Sequence, residues 1–236
     1  MKTAVKTGGA AAPAPAAKKK SQFQEVWGRF KKNHLDLFGM LLILLMILMV
    51  IFSPIIAPYG FDEQNYYEIF ASPSLQHLCG TDNLGRDVFS RLLYGGRVSL
   101  TIGIISVGIG LLCGGLIGAL AGYYGGKLDN TLMRFIDILM AIPSVILAIS
   151  ICAALGPGLV NTMIAVGVAS IPNYARILRS SILSIKQQEY VEAARAIGAS
   201  NSRIISKHIV PNSLSGLIVQ ASMGVGRAII SAASMS

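Results

Sequence analysis

Charge is what this sequence has least of. Only 13% of its 236 residues are Asp, Glu, Lys or Arg, while 53% are hydrophobic; a soluble domain carries about twice that charged fraction. Acids are the scarcer sign, 11 against 20 Lys and Arg, for a formal net charge of +9. No acid stands at the centre of an apolar run, since Asp36, Asp129 and Asp137 lie at or beyond run ends. Ion-coupled transport usually needs such groups at depth, so that class is disfavoured. His34, His77 and His208 form no H-E-x-x-H pattern, and Cys79, Cys113 and Cys152 share no metal-type spacing. A zinc site is therefore not expected, and the cysteines read as small packing residues. No Ser-His-Asp arrangement is visible either, so no catalytic residue is assigned. A phosphate-binding loop fails as well. Gly126-Lys127 is followed by Leu128 instead of Ser or Thr, and the first glycine of that pattern would fall at Ala121. If the protein drives a solute uphill, the energy must come from a partner.

What is present is a series of long apolar runs. Residues 1–20 form a low-complexity Ala-Pro tail ending in Lys18-Lys19-Lys20, too polar to fold alone. Phe23, Trp27, Phe30 and His34 fall at helical spacing beside Arg29, Lys31 and Lys32. Residues 21–36 thus read as a helix in the headgroup region, or as the first turns of the next helix. Residues 37–58 hold the first span, Leu37 to Ile56, uncharged and long enough to cross a hydrocarbon core. No small-x-small cleavage site follows it, so an uncleaved span is expected rather than a signal peptide. Residues 59–97 read as a polar external loop, and residues 98–236 as the core.

Within the core, Val98 to Gly126 is uncharged, with Gly110, Gly114, Gly118, Gly122 and Gly126 at every fourth position and Ser106 one step earlier. Such positions share one helix face. In lipid, a glycine face admits a neighbouring helix closely, so Gly110, Gly114, Gly118 and Gly122 are predicted packing residues. The last one or two glycines can equally belong to the following turn. Gly156-Pro157-Gly158 divides the next long uncharged stretch into two spans, about 138–155 and 159–175. A fifth span begins near Leu214 and contains Arg227. The architecture expected is all-α and polytopic, with about five transmembrane helices. Basic residues crowd the N-terminal flank and the 176–211 segment, which favours membrane orientation over nucleic-acid binding. The N-terminus is then cytoplasmic, the 59–97 loop external and the 176–211 segment cytoplasmic.

That inner segment, with its core at 181–211, is the candidate contact for an energy-supplying partner. Ser181 to Ile197 reads as a helix stopped by Gly198. Ser200 or Asn201 can cap a second helix, ended by Pro211. The pattern suits a docking elbow, and a cytoplasmic linker is the other reading.

Glu192-Ala193-Ala194, then Gly198, His208-Ile209 and Pro211, resembles the EAA loop of ABC-importer permeases. His77-Leu78-Cys79-Gly80-Thr81-Asp82-Asn83-Leu84-Gly85-Arg86-Asp87-Val88 is similar to the G-T-D-x-x-G-R-D-V signature of the dipeptide, oligopeptide and nickel permease group. Gly122-Tyr123-Tyr124-Gly125-Gly126 with Asp129, Met133-Arg134, Asp137 and Pro143 resembles the same group, and the order of elements resembles its C-type subunit. The resemblance implies a multi-pass subunit of the cytoplasmic membrane. A companion permease, two ATP-binding subunits and an external solute-binding protein would be its partners. ATP would be bound by those subunits, with no cofactor in this chain and no enzyme activity of its own. Peptides are the implied solute, with nickel or another small solute as the alternative. Glu192, Ala193, Ala194, Gly198, His208 and Pro211 would couple to the ATPase. Gly80, Thr81, Asp82, Gly85, Arg86 and Asp87 mark the external loop, where Arg86 and Asp87 either pair to fold it or meet the solute. Because the family norm is six spans, the resemblance also implies a truncated or diverged member, for which a non-transporting fragment or scaffold is the competing expectation.

Overall fold

The computed structural model describes residues 33–235, so the 1–20 tail and most of the expected 21–36 interfacial helix lie outside the described residues. Among the described residues the fold is helical, with one isolated bridge, Thr81 to Asp87, as the extended pairing. Residues up to Phe52 and those from Ser53 onward form two separate compact units.

The first unit holds α1, His34–Ile51. Asn33 caps it, its side-chain oxygen accepting the Leu35 N–H at 3.2 Å. Its apolar side chains surround the axis instead of forming a stripe, the pattern of a helix solvated by lipid.

The second unit opens with a short α2, Ser53–Ile56, and a folded loop. Helix α3, Val88–Tyr124, follows and is 37 residues long. The sequence places this helix start at residue 98, after the arginines. The structure starts it at Val88, because Asp87 caps it by accepting the Ser90 N–H at 2.7 Å, and Arg91 turns back to Asp82. At 1.5 Å per residue, α3 is roughly 55 Å long and projects beyond a bilayer core.

Gly125, at φ +68°, ends α3, and α4 begins at once, Gly126–Met140. Gly126 therefore leaves the glycine face. After Pro143 the chain continues as α5, Ser144–Leu155, bent 86° from α4. Proline lacks an N–H and drives the preceding residue out of helical geometry, which accounts for the break. The straight span expected over 138–155 is thus one arm of a bent pair.

Helix α6, Leu159–Lys186, runs well past the expected end at residue 175. Its arginines do not terminate it because α4 supplies their partners: Arg176 meets Asp137 at 2.6 Å and Arg179 meets Asp129 at 2.5 and 2.6 Å. Then come α7, Glu189–Ala196; α8, Asn201–Ile204; a π-helical turn, Ile205–Ile209; and α9, Val210–Ala233. The single helix expected over 181–197 is therefore broken at Gln187–Gln188. Pro211 does not end a helix as expected. It stands in the first turn of α9, where its missing N–H costs no helical bond.

By length and composition α1, α3 and the run Asn201–Ala233 can each cross a membrane, with α4 and α5 together as a fourth, bent span. Five were expected. The difference lies in α6, made polar by Asn161, Thr162, Asn173 and Arg176, while α5 is too short to count except together with α4.

Helix α6 is the hub, packed against α3, α4, α5 and α9. The glycine face of α3 meets it directly. A Cβ at Gly114 would strike the Ile171 carbonyl, and one at Gly118 the Ala175 carbonyl. At Gly110 it would strike the Ser170 hydroxyl, and at Gly122 it would press the Arg179 carbonyl at 3.0 Å. Ser106 adds a buried interhelical hydrogen bond, donating to the Met163 carbonyl at 3.0 Å.

Candidate coupling elbow and outer loop

The elbow is built by two cap motifs in succession. Helix α7 is short and amphipathic, with Glu189 and Glu192 in its first turn and Arg195 in its last, each sign matched to the helix dipole. It ends in a Schellman motif: the Gly198 N–H bonds the Arg195 carbonyl at 2.9 Å and the Ala199 N–H bonds the Ala194 carbonyl at 3.0 Å. Gly198 sits at φ +79°, a conformation glycine takes without penalty. Ser200 then caps α8. The following π turn is closed by the Val210 N–H on the Ile205 carbonyl, and leads the chain into α9 past Pro211 without a break.

One face of the elbow is part of the core. Val191, Ala194, Ile204 and Ile209 are buried in the same cluster as Tyr123, Leu178, Ile182 and Leu217. Polar ties reinforce it. The Tyr123 hydroxyl donates to Asn201 Oδ1 at 2.6 Å, and Lys186 Nζ donates to the Tyr123 carbonyl at 2.6 Å. The opposite face is bare: Glu192, Ala193 and Gly198 are exposed, and Ile197 is 84% exposed. His208 is half-buried with its ring 5.9 Å from that of Tyr190, and Pro211 is exposed. The capped backbone thus presents a small surface of mixed apolar and charged side chains, with Arg195, Arg203 and Lys207 exposed as well as Glu189 and Glu192.

The outer loop is folded by its own polar residues. Gly80 and Gly85 have φ of +73° and +69°, and a Cβ on either would strike a backbone carbonyl, of Ala71 and Asn65 respectively. The Thr81 hydroxyl donates to the Glu68 carbonyl and accepts the Ala71 N–H at 2.8 Å. Asp82 accepts the backbone N–H groups of Leu84 and Arg86 at 2.8 and 3.0 Å, and pairs with the guanidinium groups of Arg86 and Arg91. Arg86 and Asp87, read as a possible pair, go separate ways. Arg86 holds Asp82, while buried Asp87 caps α3 and accepts His77 Nδ1 at 3.0 Å. His77 Nε2 reaches Glu68 at 3.2 Å, and Tyr59 stacks on the imidazole at 4.8 Å.

With this geometry in view, two family models match. The binding-protein-dependent transport system inner membrane component matches residues 114–236. The N-terminal TM domain of oligopeptide transport permease C matches residues 21–73. A dipeptide transport system permease protein of Alkalihalophilus pseudofirmus is 42% identical over 215 residues, 91% of this chain and 71% of the relative. This chain belongs to the binding-protein-dependent permease family. A glutathione transport system permease protein of Escherichia coli is 44% identical over 220 residues, 92% of the permease and 72% of the relative. Among solved structures, an inward-facing MetNI methionine ABC transporter superposes at a TM-score of 0.52 with 25% identity, covering 58% of the permease and 69% of that chain. The permease is thus a membrane-spanning component of an ABC importer, and the family is not one of enzymes.

The structure brings Glu192, Ala193, Ala194, Gly198, His208 and Pro211 of the permease into one elbow, and Gly80, Thr81, Asp82, Gly85, Arg86 and Asp87 into one loop core. The anchors Lys186 and Arg179 go unnoticed in the sequence, since nothing in spacing pairs them with Tyr123 or Asp129; Asn201, read there as an alternative cap to Ser200, instead accepts from the Tyr123 hydroxyl. The cap at Asp87 had a readable signal, an Asp directly before a helical run.

The loop's ionisation has a definite sign. The bond to Asp87 raises His77 above its ordinary 6.5, against the lowering effect of burial, and Glu68 raises it further. Burial would lift Asp82, but the Arg86 and Leu84 N–H groups and the Arg86 guanidinium outweigh it and bring the carboxyl to about 2. Asp87 is lowered too: burial opposes this, and the bonds from Ser90 and His77 prevail. A raised His77 stabilises fully below its unfolded pKa and loses that contribution as pH rises through its folded one. The lowered acids stabilise above 3.8 and lose that contribution as pH falls. The loop should therefore be held most tightly between about pH 4 and 6.5. Hydrogen exchange at the Thr81 and Val88 amides, corrected for intrinsic rate, should show protection falling as pH rises beyond 6.5. In His77→Gln the protection should be flat over that range; a wild-type profile equally flat would refute the linkage.

Proposed function

We propose that this permease forms one half of a peptide pathway across the inner membrane, paired with a companion permease. Two ATP-binding subunits drive the pair, and an external binding protein delivers the peptide. The observation that carries this reading is the elbow, a rigid exposed surface rooted in the core of the helices. Seating α7 and α8 in an ATPase cleft would let closure of the two ATPases rock the bundle, exposing the pathway to one side and then the other. Nucleotide belongs on the partner, since the only Gly-Lys of this chain that follows a glycine-rich run continues into Leu128. Peptide as the solute is supported by the two relatives, one a dipeptide permease and one a glutathione permease, glutathione being itself a peptide. The concentration of basic residues in the N-terminal flank and from Arg176 to Lys207 supports a cytoplasmic N-terminus and a cytoplasmic elbow.

Co-purification with the companion permease and ATPase subunits, followed by ATPase assay in lipid, tests the reading. A stable complex is expected, with ATP hydrolysis rising several-fold when peptide-loaded binding protein is added. Failure of the chain to assemble would favour the non-transporting scaffold instead.

A further inference from the structure

Arg227 stands in the apolar helix α9, and none of the ion pairs among the described residues includes it. By contrast, Arg176 and Arg179 of α6 each have an acid on α4. Arg227, an exposed residue, lines an open-sided cavity of about 260 Å³ formed by α3, α5, α6 and α9. One wall is Ser106, midway along α3, which places the cavity near mid-depth of the bundle. The rest of the polar lining is neutral: Ser144 from α5, Ser170, Asn173 and Tyr174 from α6, and Gln220 and Ser231 from α9. Among the described residues no Asp, Glu, Lys or His lines it, so they give the cavity one formal charge, a positive one.

An arginine remains protonated in any protein environment and is costly in a membrane span unless something meets its charge. Its planar fork suits a carboxylate, which it can grip through two parallel hydrogen bonds, with neutral amide and hydroxyl donors taking the remaining lone pairs. Size narrows the guest. Pockets that enclose a whole small ligand run from about 300 to 1,000 Å³. This one is smaller, suited to one end of a substrate with the remainder projecting toward the companion subunit.

We propose that Arg227 and its neutral polar neighbours bind the C-terminal carboxylate of the peptide during translocation. The inference rests on the peptide-import reading and adds to it a specificity-determining residue. Such a subsite would read the carboxylate, which all linear peptides share, and leave their differing side chains unread.

The test uses the complete importer in proteoliposomes with its binding protein, comparing uptake of dialanine with that of dialanine amide. Any preference of the binding protein for the free acid is common to all permease variants and cancels in the comparison between them. Arg227→Gln should reduce dialanine uptake about 10-fold or more, the usual range for losing a charge-assisted pair, while amide uptake changes less than about twofold. Arg227→Lys, which keeps the charge and loses the fork, should fall between. Removing a charge eases membrane insertion, and recovery of assembled complex checks that the variants fold. Equal losses for acid and amide would overturn the proposal in favour of a lipid phosphate or a carboxylate of the companion subunit as the partner of Arg227. Unchanged uptake of both would overturn it as well. If the wild-type importer moves neither dialanine nor glutathione, the peptide-import reading itself falls, a result distinct from either of those.

Discussion

Gly118→Leu is expected to abolish recovery of folded permease. The position leaves no room: a Cβ there would fall within 3.0 Å of the Ala175 backbone on α6, and backbone cannot rotate away as a side chain can. The only relief is separation of α3 from α6, and α6 is the helix that most others pack upon. Overpacking in a core costs about 1–3 kcal/mol where side chains can yield; against backbone the cost belongs at or above the upper end. The loss is not offset elsewhere, because in lipid the helices are held by close packing and interhelical hydrogen bonds, with no hydrophobic drive between them. Separation would also break the Ser106 bond to Met163. Gly108 is the internal control, on the same helix with nothing within 4 Å of a Cβ. Gly108→Ala should leave the yield of monodisperse protein and its melting temperature within experimental error. A stable, monodisperse Gly118→Leu protein would show that the close approach of these helices is not what holds them.

Gly198→Pro is expected to disconnect ATP hydrolysis from transport, with uptake falling about 10-fold or more while the membrane helices still assemble. Proline holds φ near −65°, against the +79° found here, and has no N–H to give to the Arg195 carbonyl. The Schellman motif cannot form, so α7 and α8 lose their fixed angle, although Val191 and Ile204 can still find apolar cover. Gly198→Asn should keep most activity, since asparagine enters the left-handed region at small cost. Glu192→Lys probes the surface rather than the angle. It reverses an exposed charge, leaves the buried face intact, and should weaken stimulation by loaded binding protein. If Gly198→Pro and Glu192→Lys together leave transport and ATPase stimulation unaltered, the elbow is not the coupling element.

Both predictions depend on features of unequal visibility in the sequence. The glycine face was legible because four-residue spacing maps directly onto a helix surface, though only the structure identifies α6 as the neighbour and drops Gly126 from the face. The turn at Gly198 was legible as a glycine after a helical run. Other boundaries were hidden by charge. Arg91 and Arg97 made the start of α3 look like loop, and Arg176 and Arg179 made α6 look as if it ended at residue 175, separate from the helix expected from Ser181. Arg91 finds Asp82 nine residues away, and Arg176 and Arg179 find Asp137 and Asp129 at separations of 39 and 50 residues, none of which leaves a local pattern. The outer-loop signature was recognisable as a string, but what holds it is the bonds of His77 to Glu68 and Asp87 and of Asp82 to Arg86 and Arg91, which only the folded loop brings together. Pro211 misled for a different reason: proline reads as a stop, and the π turn before it is a backbone adjustment without a residue code.

That π turn has a mechanical consequence. Without it, Pro211 would divide the elbow from α9 as two pieces joined by a joint. With it, Asn201 to Ala233 is one helical run of 33 residues, roughly 50 Å from end to end. Ser200 caps one end, and Arg227 stands close to the other. The chain has in effect a crankshaft: a tilt imposed at the elbow is carried toward the arginine along one helical run, whose ladder of backbone hydrogen bonds lacks only the N–H that Pro211 does not have.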